Sequence, residues 1–201
     1  MPKLTLATKI TIARLLSVPF VLWAMYEGRF VLALGIFSLA SITDAADGYV
    51  ARHWDQRSVV GSILDPLADK ILLTSTFIIL TASPNTHLVH PAWLTVAVTY
   101  RDLMILMGAG MVKYFCPTMQ FRPIISSKLT TVFQIATALF VVLANAGAQL
   151  ELPYGWARWP ILVLSVVTGL LCLISVLGYY REGVWMMQSE AEEPARSGAA
   201  R

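Results

Sequence analysis

The sequence predicts an all-α fold: a polytopic membrane protein with six transmembrane helices and cytoplasmic N and C termini. Three observations lead there. Of 201 residues, 57% are hydrophobic and only 13% charged, against roughly 25% charged in an average soluble domain, and the mean hydropathy is +0.66. Six apolar stretches approach the ~20 residues that span a bilayer. Lys and Arg gather on one side of those stretches. This balance excludes a disordered chain, a coiled coil and an ordinary water-soluble enzyme. A net charge of +3 without a Lys/Arg-rich run excludes nucleic acid as a partner and leaves the lipid bilayer. Cys116 and Cys172 are too few for a disulfide framework and lack metal-ligand spacing.

The first span, Thr11 to Tyr26, follows basic residues but runs past signal-peptide length with no clear small-residue cleavage site, so it is read as retained. The second and third are Phe30 to Val50 and Val60 to Ala82, the latter stopped by Ser83-Pro84-Asn85. The fourth, Pro91 to Val112, ends before the turn segment from Cys116-Pro117 to Arg122-Pro123. Lys128 to Ala148 and Trp159 to Tyr180 complete the set. The Glu/Ala/Ser/Gly/Pro-rich stretch after Arg181 lacks apolar periodicity, giving a membrane domain over 1–181 and a mobile cytoplasmic tail over 182–201. Lys3, Lys9, Arg14, Arg52, Arg57, Lys113, Arg122, Lys128, Arg181, Arg196 and Arg201 fall on one side and only Arg29 and Arg158 on the other. By the positive-inside rule, the first side is cytoplasmic. The chain has no internal repeat, which weighs against a transporter.

Five carboxylates lie inside these spans: Asp44, Asp47, Asp65, Asp69 and Asp102. Each costs about 2.5–3.5 kcal/mol at a helix centre on insertion scales, so a cluster implies compensation and function. Asp44, Asp47, Gly48 and Ala51 share one face of the second helix by their i, i+3, i+4, i+7 spacing, and Gly61, Asp65, Ala68 and Asp69 share one face of the third. Small residues in both stripes let the helices approach closely. Counted from the Arg52–Val60 connection at about 1.5 Å per residue, the four aspartates form two layers, roughly 8 and 12–14 Å deep. Four like charges this close cannot all stay ionised without cations. Oxygen-only donors select hard ions, Mg²⁺ or Mn²⁺, and two ions between facing Asp pairs suit chemistry at a phosphate. Pro66 leaves two local readings: Asp65 caps a helix starting at Pro66, or a helix starting near Gly61 is kinked there.

The segment Asp44-Ala-Ala-Asp-Gly-Tyr-Val-Ala-Arg52, followed by eight residues, Gly61, Asp65 and Asp69, matches D-x2-D-G-x2-A-R-x8-G-x3-D-x3-D at every fixed position. The chain thereby resembles the CDP-alcohol phosphotransferase family over roughly residues 5 to 180. The resemblance implies transfer of a phosphatidyl or related group from a CDP-linked donor, such as CDP-diacylglycerol, to an alcohol with release of CMP, in a homodimer. It implies Asp44, Asp47, Asp65 and Asp69 as metal ligands, with Asp69 also the general base. It implies a CDP site shaped by Asp44, Gly48, Ala51, Arg52, Gly61 and Asp65. Arg52 has the simpler alternative of a positive-inside anchor. Tyr100 to Leu106 and Ile125 to Gln134 look more like the cardiolipin synthases of the family, whose acceptor is phosphatidylglycerol, than its phosphatidylglycerophosphate synthases, whose acceptor is glycerol-3-phosphate.

Lys70 and Asp102 fall at similar depths, about 16 Å from the cytoplasmic ends of their helices, with Arg101 adjacent. A buried pair joining the third and fourth helices is the preferred reading over substrate contact. Arg101, Arg122 and Lys128 are the candidate contacts to an acceptor phosphate. Lys128 follows Ser126-Ser127 at a helix start that suits an anion, although Arg122 and Lys128 equally suit lipid headgroups. His53, His87 and His90 read as loop residues. A carboxylate-lined cation or proton transporter and a non-catalytic assembly factor are the readings from other classes. Metal-dependent CMP release would exclude the first, and the second has no use for four intramembrane aspartates.

Overall fold

The computed structural model describes the backbone over residues 6–38, 59–115 and 125–198, and side chains over 15–38, 70–108, 110 and 125–182. All regular structure in these residues is helical: α1 (Leu6–Tyr26), α2 (residues 30–38), α3 (Val59–Ala82), α4 (Ala92–Phe115), α5 (Ile125–Gln149), a 3-10 turn (Gly155–Ala157) and α6 (Arg158–Gly198). The apolar stretches therefore became helices in the expected order. Ser83 to Pro91 is non-helical, while the expected turn from Cys116 and the second span beyond residue 38 lie outside the described residues.

One boundary is corrected. The last span is expected to end at Tyr180, and its apolar part does end near there, at Glu182, but α6 continues as helix to Gly198. Loss of apolar character after Arg181 is not loss of helix propensity, since Met186, Met187, Gln188, Glu190, Ala191, Glu192 and Glu193 are strong or fair helix formers. The Pro66 alternatives are also decided in one respect: α3 starts at Val59 and runs through Pro66.

α5 packs along α6, α1 along α3 and α4 along α6. Gly169 permits the last approach, because a Cβ there would overlap the Trp93 ring. Polarity is distributed inside out. Thr130, Gln134, Thr137, Asn145, Ser165, Thr168 and Ser175 are buried, while Phe20, Val96, Leu103, Val132, Leu173 and Leu177 are exposed. The buried hydroxyls act between helices: Thr137 and Thr168 Oγ1 lie 2.9 Å apart, and Thr130 Oγ1 donates to the Leu171 carbonyl (3.1 Å). Such an arrangement is favourable where the surroundings are apolar and hydrogen bonds replace hydrophobic exclusion between helices. Among the described residues, Ile125–Gln149 and Gly155–Glu182 are long and apolar enough to cross a bilayer. Apolar helical stretches at Leu15–Tyr26 and Lys70–Ala82 are shorter.

One end of the bundle is closed by side chains that satisfy helix ends. α1 stops at a Schellman motif: Gly28 N–H donates to Met25 O (3.1 Å) and Arg29 N–H to Ala24 O (2.8 Å), with Gly28 at φ 73°. Ser83 Oγ and Asn85 Nδ2 donate to the freed Tyr26 carbonyl (3.0 and 2.9 Å). Gln149 Oε1 accepts from Val31 N–H at the start of α2 (2.9 Å). Buried Asn145 holds Leu88 at both backbone groups: its Oδ1 accepts from Leu88 N–H (3.0 Å) and its Nδ2 donates to Leu88 O (2.8 Å). The 27–29, 83–91 and 150–157 connections thus share one end, and α3 and α5 start from the other.

Candidate active site

Most of the signature lies outside the described residues: Asp44, Asp47, Gly48, Ala51 and Arg52 all fall within 39–58. Gly61, Asp65 and Asp69 belong to the N-terminal part of α3, on one uninterrupted helix, so their i, i+4, i+8 spacing runs along a real helical register. Arg122 also lies outside the described residues. Lys128 is exposed in the first turn of α5, which begins at Ile125, slightly earlier than expected.

Immediately after Asp69 the side chains are described, and they form a charged cluster. Asp102 Oδ1 accepts from Arg101 Nη1 at 2.6 Å and lies 3.8 Å from Lys70 Nζ. Thr74 Oγ1 donates to Asp102 Oδ2 at 3.5 Å. Arg101 is only 1% exposed, yet its guanidinium is widely engaged. Nη2 donates to the carbonyl and hydroxyl oxygens of Ser127 on α5, and Nε and Nη2 share Ser175 Oγ on α6 (3.4 Å each). A buried Arg persists in an apolar bundle only when so paired. The expected link between third and fourth helices is present, and Arg101 extends it to α5 and α6. Sequence reasoning missed Ser127 and Ser175 as its partners. Small hydroxyl residues on apolar helices were the available signal, but they are too common to single out.

The cluster heads a cavity of about 270 Å³ lined by α1, α2, α3, α4 and α5. Lys70, Arg101 and Asp102 line one end, Gln134 and Thr76 follow, and Leu73, Ala138 and Val142 form the apolar remainder. One polar end and one long apolar wall suit an amphiphile.

A sequence profile described as CDP-alcohol phosphatidyltransferase matches residues 4–175. The chain belongs to this family. It is 33% identical over 171 residues to a human cardiolipin synthase (CMP-forming), covering 76% of this chain and 56% of that protein. A Streptomyces coelicolor cardiolipin synthase (CMP-forming) is 32% identical, with 77% of this chain and 74% of that protein covered. A rice chloroplastic CDP-diacylglycerol–glycerol-3-phosphate 3-phosphatidyltransferase is 30% identical, with 88% and 56% covered. The chain thus spans a little over half the length of the human and rice relatives. The family is the one the signature resembles.

Proposed function

We propose that this protein is a cardiolipin synthase of the inner (cytoplasmic) membrane, transferring the phosphatidyl group of CDP-diacylglycerol to phosphatidylglycerol and releasing CMP. The observation that carries the reading is the full signature, Asp44 to Asp69, in a family member similar over three quarters of its length to proteins named cardiolipin synthase (CMP-forming). The rice relative supports glycerol-3-phosphate as the second acceptor to test.

In this reading Asp44, Asp47, Asp65 and Asp69 hold two Mg²⁺ or Mn²⁺ ions. The fit rests on a donor set of oxygens alone and on α3 carrying Asp65 and Asp69 one turn apart on one helix. Bound there, the ions would supply the positive charge that a pyrophosphate donor requires. Gly48, Ala51 and Gly61 leave room for the nucleotide, and Arg52 meets its charge. Asp69 accepts the proton of the acceptor hydroxyl as that oxygen attacks the donor's phosphatidyl phosphorus and CMP departs. Six spans with cytoplasmic termini put this chemistry near the cytoplasmic face. Supporting that topology, the 27–29, 83–91 and 150–157 connections share one end, and the basic residues flanking them are Arg29 and Arg158. A homodimer is the proposed assembly.

The test incubates purified protein and CDP-diacylglycerol with phosphatidylglycerol or glycerol-3-phosphate, with Mg²⁺, Mn²⁺ or EDTA. CMP release and lipid mass are measured. Cardiolipin and CMP should form only with phosphatidylglycerol and metal. Turnover with glycerol-3-phosphate alone would change the acceptor, full turnover in EDTA would reject the metal role, and no CMP with either acceptor would reject the reading.

A further inference from the structure

We propose that Lys70 and the cavity behind it form the acceptor-lipid subsite, Lys70 taking the phosphodiester anion and the cavity taking an acyl chain. This deepens the cardiolipin synthase reading and rests on it for the choice of acceptor. It moves the anion contact from Arg101, expected from sequence, to its neighbour across the helix interface.

Charge and geometry separate the two cations. Arg101 is buried and its donors are engaged by Asp102, Ser127 and Ser175. Asp102 is held by Arg101 at 2.6 Å but is 3.8 Å from Lys70, so its charge is already compensated by the closer guanidinium. Both cations line the cavity, but the Lys70 side chain is 31% exposed, against 2% for Arg101. Among the described residues the one carboxylate partner of Lys70 is Asp102, at 3.8 Å, and an ammonium has three donors, so we assign it the incoming anion. Lys70 also follows Asp69 directly on α3, and adjacent Cα atoms are ~3.8 Å apart. Asp69 and Lys70 therefore lie at nearly the same height along α3.

The cavity's shape selects a lipid over a small dianion. Its wall on α5 runs from Thr131 to Val142, about three turns or ~16 Å. It also reaches Met25, next to the last residue of α1, so it leads from the charged cluster toward the bundle end opposite the start of α3. Beyond Gln134 its walls offer few polar partners. Its 270 Å³ takes on the order of nine methylene groups, if each fills about the ~30 Å³ of a water molecule. Ile135 and Leu139 line it while remaining 48% and 40% exposed, which gives a chain an entrance from the lipid-facing surface. Glycerol-3-phosphate has no use for this volume.

The test measures KM for each substrate in detergent micelles, together with retention of phosphatidylglycerol by native mass spectrometry. Removing a charge-assisted hydrogen bond costs about 1.5–3 kcal/mol, so Lys70→Gln should raise the KM for phosphatidylglycerol about tenfold or more. The KM for CDP-diacylglycerol should stay near wild type, and Lys70→Arg should restore much of the loss. Ile135→Trp, at an exposed position, should penalise long-chain phosphatidylglycerol more than the dioctanoyl form. Equal shifts in both substrates' KM, a fall in kcat alone, or no chain-length effect would overturn the assignment. If Lys70→Gln does not fold, Lys70→Arg and Ile135→Trp carry the test. If wild-type protein releases no CMP with phosphatidylglycerol, the cardiolipin reading fails on its own. The subsite is then judged by retention: selective loss of phosphatidylglycerol in the variants supports it, and equal retention overturns it.

Discussion

The closed end of the bundle and the charged cluster use polar side chains in opposite ways. At the closed end, Asn145, Gln149, Ser83 and Asn85 are neutral and bond to backbone groups that helix ends and loops leave open. Each donor meets an acceptor at 2.8–3.0 Å in the Asn145–Leu88 pair. In the cluster, Lys70, Arg101 and Asp102 are ionisable groups among apolar helices, and Lys70 keeps a long, partial contact beside a cavity. Neutral bonds to backbone fix where helices end. Charges deep in a bundle are costly, and among the described residues Lys70 has the longer of the two ion pairs to Asp102. The contrast predicts that changes near the cluster and signature should alter turnover, whereas changes at the closed end should alter stability.

The largest expected effect is at Asp69. Asp69→Asn retains shape but removes the proton acceptor, so CMP release should fall by at least about 10²-fold while the melting temperature barely moves. A near-wild-type rate would assign the base elsewhere. The converse case is Asn145→Ala. It leaves the N–H and C=O of buried Leu88 without their partners, at about 1–3 kcal/mol per orphaned group. The variant should melt well below wild type while the folded fraction keeps its KM values. A large KM change without destabilisation would erase the distinction between the two regions.

The smallest effect belongs to His90, which is buried in the 83–91 loop against Phe77. Burial pushes its imidazole below the ordinary 6.5, outweighing the opposing backbone contacts of Pro91 and Phe77. The unfolded chain therefore takes up a proton near pH 6.5 that the folded one resists. Stability should be level above that pH and decline as the pH drops through and below it. Thermal melts between about pH 7.5 and about pH 5 should show the decline, and His90→Gln should flatten it. Identical pH slopes in both proteins would show that other groups set it.

Local spacing in the sequence specifies the helices and the register that Asp65 and Asp69 share on α3. Long apolar runs leave helix as the economical way to satisfy backbone groups in lipid, and Asp65 and Asp69 align because a helix repeats every 3.6 residues. The same logic failed beyond Arg181, where α6 continues on helix propensity after its apolar character ends. It foresaw Lys70 and Asp102 as a pair from equal depth alone. Which partners Arg101 finds depends on how distant helices pack. Arg101 meets Ser127 and Ser175, 26 and 74 residues away in sequence, while Lys70 keeps a partly exposed side chain at the same cavity. Asn145 finding Leu88, 57 residues distant, is another such case. Local spacing fixes which residues share a helix face, but not the rotation and height at which two packed helices bring those faces together.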